Sequence, residues 1–157
     1  MQVKEDSNGD PADRKIKKQV IKVAEAHIRN KLQKGKKSIS KDGIIVFSDK
    51  DIKCLIDPAR IVTGEIDEDS VTDAIVPLYY FRNQTLYLTE HIILLNKNGR
   101  FLTAKVLGAE MKVLAIKNRE IIIETSKIAS DSPYFGCEIC KEVVKYNFVG
   151  GDTVRIK

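Results

Sequence analysis

Thr85-Leu86-Tyr87-Leu88-Thr89-Glu90-His91-Ile92-Ile93-Leu94-Leu95 runs through Asn96-Lys97-Asn98-Gly99 into Arg100-Phe101-Leu102-Thr103-Ala104-Lys105-Val106-Leu107. Both flanks read as strands. Asn98-Gly99 between them reads as a hairpin turn, because Asn and Gly accept the positive φ that a tight turn between twisted strands demands. This stretch decides the fold: neighbouring strands are antiparallel and follow one another along the chain.

The period-two pattern extends in both directions. Lys112–Ile116 and Glu120–Thr125 flank a second tight turn, Lys117-Asn118-Arg119. Beyond a loop centred on Ser130–Gly136, Lys141–Phe148 and Thr153–Ile156 meet across Gly150-Gly151. Upstream, Gly43–Phe47, Ile52–Ile56, Arg60–Ile66 and Asp73–Phe81 read as further strands, and lysine-rich Lys34–Lys41 as a loop.

Only the N-terminal part has another period. Asp10-Pro11-Ala12-Asp13 has the chemistry of a helix start, with Asp10 as cap, Pro11 at the first turn and Asp13 near the positive end of the dipole. Ile16, Val20, Val23, Ala24, Ile28 and Leu32 follow as one apolar stripe, and Gly35 supplies a stop. The expectation is an α+β fold: an N-terminal amphipathic helix packed on an antiparallel β-meander, either a curved sheet or a sandwich. Residues 1–9 read as a disordered lead-in and 10–157 as a single domain.

The chain has 157 residues, 43% of them hydrophobic and 31% charged, which is a globular composition. A chain of this length buries roughly 70% of its unfolded surface, so its core needs no metal or disulfide staple. Aromatic residues are sparse at 6%, with no Trp, which disfavours a stacking platform for bases or sugars. The net charge of +5 is uneven. Arg14–Lys41 holds eleven basic residues against one acid, Glu25, while residues 42–157 hold 15 basic and 17 acidic. Lys15, Lys18, Lys22, Lys34 and Lys37 therefore form a candidate basic patch. Such a patch would suit nucleic acid or an anionic membrane surface, but it lacks interleaved aromatics and equally describes the solvated face of a helix. No apolar run reaches the roughly 18 residues of a membrane span, and none behind Met1 resembles a signal peptide. Either the protein is cytoplasmic or Met1 stands where an export signal was removed.

Acids recur at Glu65, Asp67, Asp69 and Asp73 in Thr63-Gly64-Glu65-Ile66-Asp67-Glu68-Asp69-Ser70-Val71-Thr72-Asp73-Ala74-Ile75-Val76. This alternate spacing points oxygens at one centre, as a calcium ion with roughly six to eight oxygen ligands requires. Glu65 is longer than the usual first Asp, and Ser70 stands where glycine normally gives backbone freedom, so an acidic turn without an ion is the competing description.

The loop resembles the D-x-[DN]-x-D-G-x-x-D-A-[VI]-V loop of FG-GAP-like proteins. Over residues 60–157 the chain is similar to a group of uncharacterised exported bacterial proteins that carry one such loop. Their pattern continues into a long strand, an Asn-x-Asn-Gly hairpin and a late cysteine pair, matched here by Asp73–Val76, Asn96-Lys97-Asn98-Gly99, and Cys137 with Cys140. A protein or another envelope component is the expected partner, and the resemblance implies export and lipid anchoring. It implies no activity.

Cys137-Glu138-Ile139-Cys140 lacks the βαβ context of a redox motif, and Cys54, His27 and His91 are too scattered to complete a zinc site. In an exported protein the pair is a local disulfide; in a reducing compartment it is two small apolar residues. Cys54 reads as a buried free thiol, and His27 and His91 as structural residues. There is no G-x-S-x-G and no phosphate-binding glycine loop, so no catalytic residue is assigned. The sequence points to a non-enzymatic binding or accessory module of the cell envelope, with a calcium-stabilised module or a nucleic-acid binder as alternatives.

Overall fold

A computed structural model describes residues 11–108, 110–126 and 140–156. The lead-in at 1–9, the helix cap Asp10 and the loop at Ser130–Gly136 lie outside them. The described residues begin with helix α1 (Pro11–Lys31), followed by β1 (Lys36–Ile39), β2 (Ile45–Asp49) and β3 (Ile52–Ile56). A single 3-10 turn (Pro58–Arg60) leads to β4 (Val62–Gly64), β5 (Asp73–Arg82), β6 (Thr85–Lys97) and β7 (Arg100–Gly108). The last four strands are β8 (Lys112–Lys117), β9 (Glu120–Ser126), β10 (Lys141–Val149) and β11 (Asp152–Arg155). All pairings are antiparallel, in a seven-stranded sheet ordered β1-β2-β3-β5-β6-β7, with β4 beside β5, and a four-stranded sheet ordered β11-β10-β9-β8. The expected helix on an antiparallel meander is therefore present, in its sandwich form.

Three layers explain the burial pattern. Val20, Ala24, Ile28 and Leu32 of the helix stripe pack on Phe47, Cys54, Ile56, Ala74, Val76, Leu78, Ile92 and Leu94. The opposite face of the large sheet contributes Ile75 and Ile93 to a second core with Ile116, Ile121, Ile123 and Val144 of the small sheet. Strands β5 and β6 are thus covered on both faces, which is why Ile92-Ile93-Leu94-Leu95 is a continuous apolar run. Each fully buried Val, Ile or Leu contributes about 1.5–3 kcal/mol. The layers meet closely at Gly64, where an added Cβ would stand 2.7 Å from Ile116 Cβ and 2.9 Å from its carbonyl oxygen. Only a glycine lets β4 come this near β8.

Two-residue turns set the register. Asn98 and Gly99 have φ of 56° and 83°, and Lys97 pairs with Arg100, as the Asn-Gly pair predicts. Asn118-Arg119, Asn83-Gln84 and Gly150-Gly151 also have two positive φ values each. An extra residue in β7, Ala104, shifts its register against β6. It lets Phe101 and Val106, an odd number of residues apart, both face the helix-side core.

Two segments differ from the sequence reading. The expected loop at Lys34–Lys41 contains β1, an edge strand whose four residues are all exposed. With neither face buried it has no apolar alternation to reveal it, and its lysines are what an open sheet edge carries. The expected strand Arg60–Ile66 is shortened to Val62–Gly64, because Asp57 Oδ1 accepts from the Ala59 amide at 3.0 Å and turns Pro58–Arg60 into a 3-10 turn.

Candidate functional site

The acidic loop joins β4 to β5, and its side chains fall into two roles. Asp73 is fully buried at the start of β5, where Oδ2 accepts from the Ile66 amide and Oδ1 from the Asn96 amide, both at 2.9 Å. Burial pushes its carboxyl up, partly offset by these two bonds, and Asp67 and Asp69 add to the rise. Asp73 thereby pins the loop to the β6–β7 hairpin. Asp67 and Asp69 stay near the surface and share the Lys97 ammonium, at 2.7 and 3.3 Å. Hydrogen bonds to Asp67, then to Asp69, raise the lysine; Asp69 is lowered, first by its hydrogen bond with Asp67. Carboxylate oxygens of Asp67, Asp69 and Asp73 lie within 4.8 Å of one another. Glu65 is not in this group and lines a cleft with Ile116, Asn118 and Arg119. Ser70 has φ of 59°, so the loop keeps the left-handed position without glycine.

A second polar group lies between helix and sheet. Glu90 projects from β6 toward α1 and is 7% exposed. Its Oε1 accepts from the Tyr80 hydroxyl at 2.9 Å and meets His27 Nε2 at 3.0 Å, and its Oε2 accepts from Lys31 Nζ at 2.5 Å. Burial would raise the Glu90 carboxyl, but hydrogen bonds from Lys31, His27 and Tyr80 outweigh it and hold the group below its ordinary value. Cys54 is a buried free thiol beside Tyr80, pushed up to about 12 chiefly by burial, which leaves it protonated and unreactive. His27 is thus a structural partner of Glu90, in keeping with its sequence reading.

The third group lies on the opposite face. His91 is 1% exposed and stands in register with Pro77 of β5. Burial lowers its imidazole to about 4, against a smaller upward pull from a hydrogen bond to the Met111 backbone. Its Nδ1 has no hydrogen-bond partner among the described residues. His91 lines a cleft of about 410 Å³ with Arg60, Val62, Pro77, Tyr79 and the strand Lys112-Val113-Leu114. The cleft exists because β5 has a gap on one edge: β3 pairs with residues 79–82 and β4 with residues 73–75. Pro77 falls in that gap, where its missing N–H costs no ladder bond. A bulge at Leu114 bends β8 beside the opening.

Of the remaining sequence candidates, Lys15, Lys18, Lys22 and Lys34 are exposed, and Lys37 is paired with Glu25 at 2.8 Å. Cys140 is disulfide-bonded, and Cys137 lies outside the described residues. No described helix is long and apolar enough to cross a membrane. In the sequence His91 reads as a structural residue, and no motif marks the cleft. Pro77 inside an otherwise central strand was the available signal. No family model matches the chain, and neither a curated protein nor a solved structure does so.

Proposed function

We propose that the protein is a non-catalytic binding or accessory module of the bacterial cell envelope that takes its ligand into the cleft between the two sheets. The observation that supports this reading is a cleft of about 410 Å³ that presents Arg60 and Lys112 beside the buried His91. By contrast, Glu90, Asp73, Asp67 and Asp69 are already held by protein partners, as scaffold residues are. The envelope assignment rests on the resemblance of residues 60–157 to exported bacterial proteins, and the partner we propose is a protein or another envelope component. The test is native mass spectrometry of the full chain recovered from the envelope fraction of its cells, beside the variant Ala59→Trp. Ala59 is an exposed residue at the cleft wall, so the indole would cover the opening without entering the core. A bound small molecule absent from the variant is expected. An empty cleft in both proteins, or recovery in the cytosolic fraction alone, overturns the reading.

A second reading, a calcium-stabilised module, is favoured by the convergence of Asp67, Asp69 and Asp73. Calcium would have to displace the Lys97 ammonium, which already supplies positive charge there. Calcium should then raise the melting temperature more in Lys97→Ala than in the parent; identical midpoints with calcium and with chelator would exclude it.

A further inference from the structure

We propose that the outer face of α1, continued by Lys34 and the edge strand β1, is a docking surface for an anionic phospholipid bilayer. It is independent of the cleft, which lies on the other side of the large sheet. Arg14, Lys15, Lys18 and Lys22 are exposed. At 3.6 residues per turn they fall within about 100° of arc and about 12 Å of helix length, away from the buried stripe of Val20, Ala24 and Ile28. Lys34 follows the helix, and Lys36 lies in β1, whose four residues are all exposed. The acids of α1 do not neutralise this face, because Asp13 pairs with Lys17 at 3.7 Å and Glu25 with Lys37 at 2.8 Å. None of those six cations meets an ion pair among the described residues. So much unneutralised charge on one side calls for an anionic partner. The shape of the face selects among anions. None of the larger clefts among the described residues is lined by α1 or β1, so no groove is there to clasp a nucleic-acid strand. Neither element carries a Phe, Tyr or Trp on which bases could stack. A convex face of long, flexible cations suits a plane of phosphate headgroups, where each Lys or Arg near the surface adds attraction. No exposed large hydrophobic residue belongs to α1, so the contact is electrostatic and stays at headgroup level. A protein bound this way keeps the cleft beside Arg60 and Lys112 turned toward water.

The experiment sediments the full chain with vesicles of phosphatidylcholine mixed with phosphatidylglycerol, and with vesicles of phosphatidylcholine alone. Binding to the mixed vesicles only is expected at about 0.05 M salt, with loss near about 0.5 M as the charges are screened. Lys15→Gln, Lys18→Gln and Lys22→Gln together should weaken it about a hundredfold, at roughly fivefold for each charge removed. Lys53→Gln, Lys117→Gln and Arg119→Gln together remove the same charge away from this face and should weaken it by about threefold or less. All six positions are exposed, so neither variant threatens folding, and thermal unfolding checks both. No binding to the mixed vesicles, binding to phosphatidylcholine alone, or equal losses in the two variants overturns the proposal. So does tighter binding to duplex DNA or to polyglutamate than to the mixed vesicles at equal anion concentration, which would make the face a nucleic-acid or acidic-protein site.

Discussion

Glu90 and His91 are consecutive residues that leave β6 on opposite faces, both buried. Glu90 meets the helix layer and has its carboxylate oxygens engaged by Tyr80, His27 and Lys31. His91 meets the small-sheet layer and leaves one ring nitrogen unmet. The helix side behaves as a finished interior, with a polar group matched to its surroundings. On the other side, a neutral polar atom sits behind a cationic opening. The difference teaches that burial alone does not mark a site; the state of the partner list does.

The largest effect that could break this comparison is Glu90→Ala. Removing the carboxylate strands the Tyr80 hydroxyl and two basic groups, so unfolding in urea should show a loss of about 4 kcal/mol. A loss below about 1 kcal/mol would mean that the helix-side cluster is not structural.

Next comes the acid limb governed by His91. Its folded value of about 4 lies below the ordinary 6.5, so the unfolded chain binds the proton more readily. Stability is therefore full above 6.5 and falls by about 3 kcal/mol as pH drops from 6.5 to 4. Glu90, depressed from 4.5, adds its own loss only below that value. Asp73, raised by burial, works in the opposite sense, so the measurement is the difference between parent and His91→Leu. A parallel pair of curves would show that His91 is not held neutral by its surroundings.

A smaller loss, about 2 kcal/mol, is expected for Asp73→Ala, read from thermal or urea unfolding. Two amides lose their acceptor, but relief of the repulsion from Asp67 and Asp69 offsets part of the cost. The smallest effect has the opposite sign. Ser70→Gly should stabilise the protein by about 0.5–1 kcal/mol, because a left-handed φ strains a residue with a Cβ. It sharpens the contrast by showing where the loop, unlike the two core layers, still carries strain.

Most of the fold was legible from local chemistry. The Asp-Pro start and the stripe from Ile16 to Leu32 led to α1, and Asn98-Gly99 and Gly150-Gly151 led to hairpins, because turn residues act through their own φ. Strand β1 was not legible, since a strand exposed on both faces leaves no alternation. The acidic loop was visible as a cluster, yet the capture of Asp67 and Asp69 by Lys97 depended on pairing nearly thirty residues away along the chain. The cleft was hidden for the same reason: Arg60, Val62, Pro77, Tyr79, His91 and the strand at 112–114 come together only through strand order. His91 in an apolar run looks like any buried histidine until its partners are counted.

The two-residue turns carry a kinetic consequence. Within the described strands every pairing except β3 with β5 joins strands consecutive in the chain. Hairpins with such short connections lose little entropy on closing and form within about 1–10 μs as isolated units. The slow events are then the helix reaching β5 and β7, and β8 settling over β4 at Gly64. We predict that pulse-labelled amides in the β6–β7 hairpin are protected before those of β4 and β8 during refolding. On this route the cleft is the last part of the molecule to exist, and a compound that occupies it would slow unfolding without speeding folding.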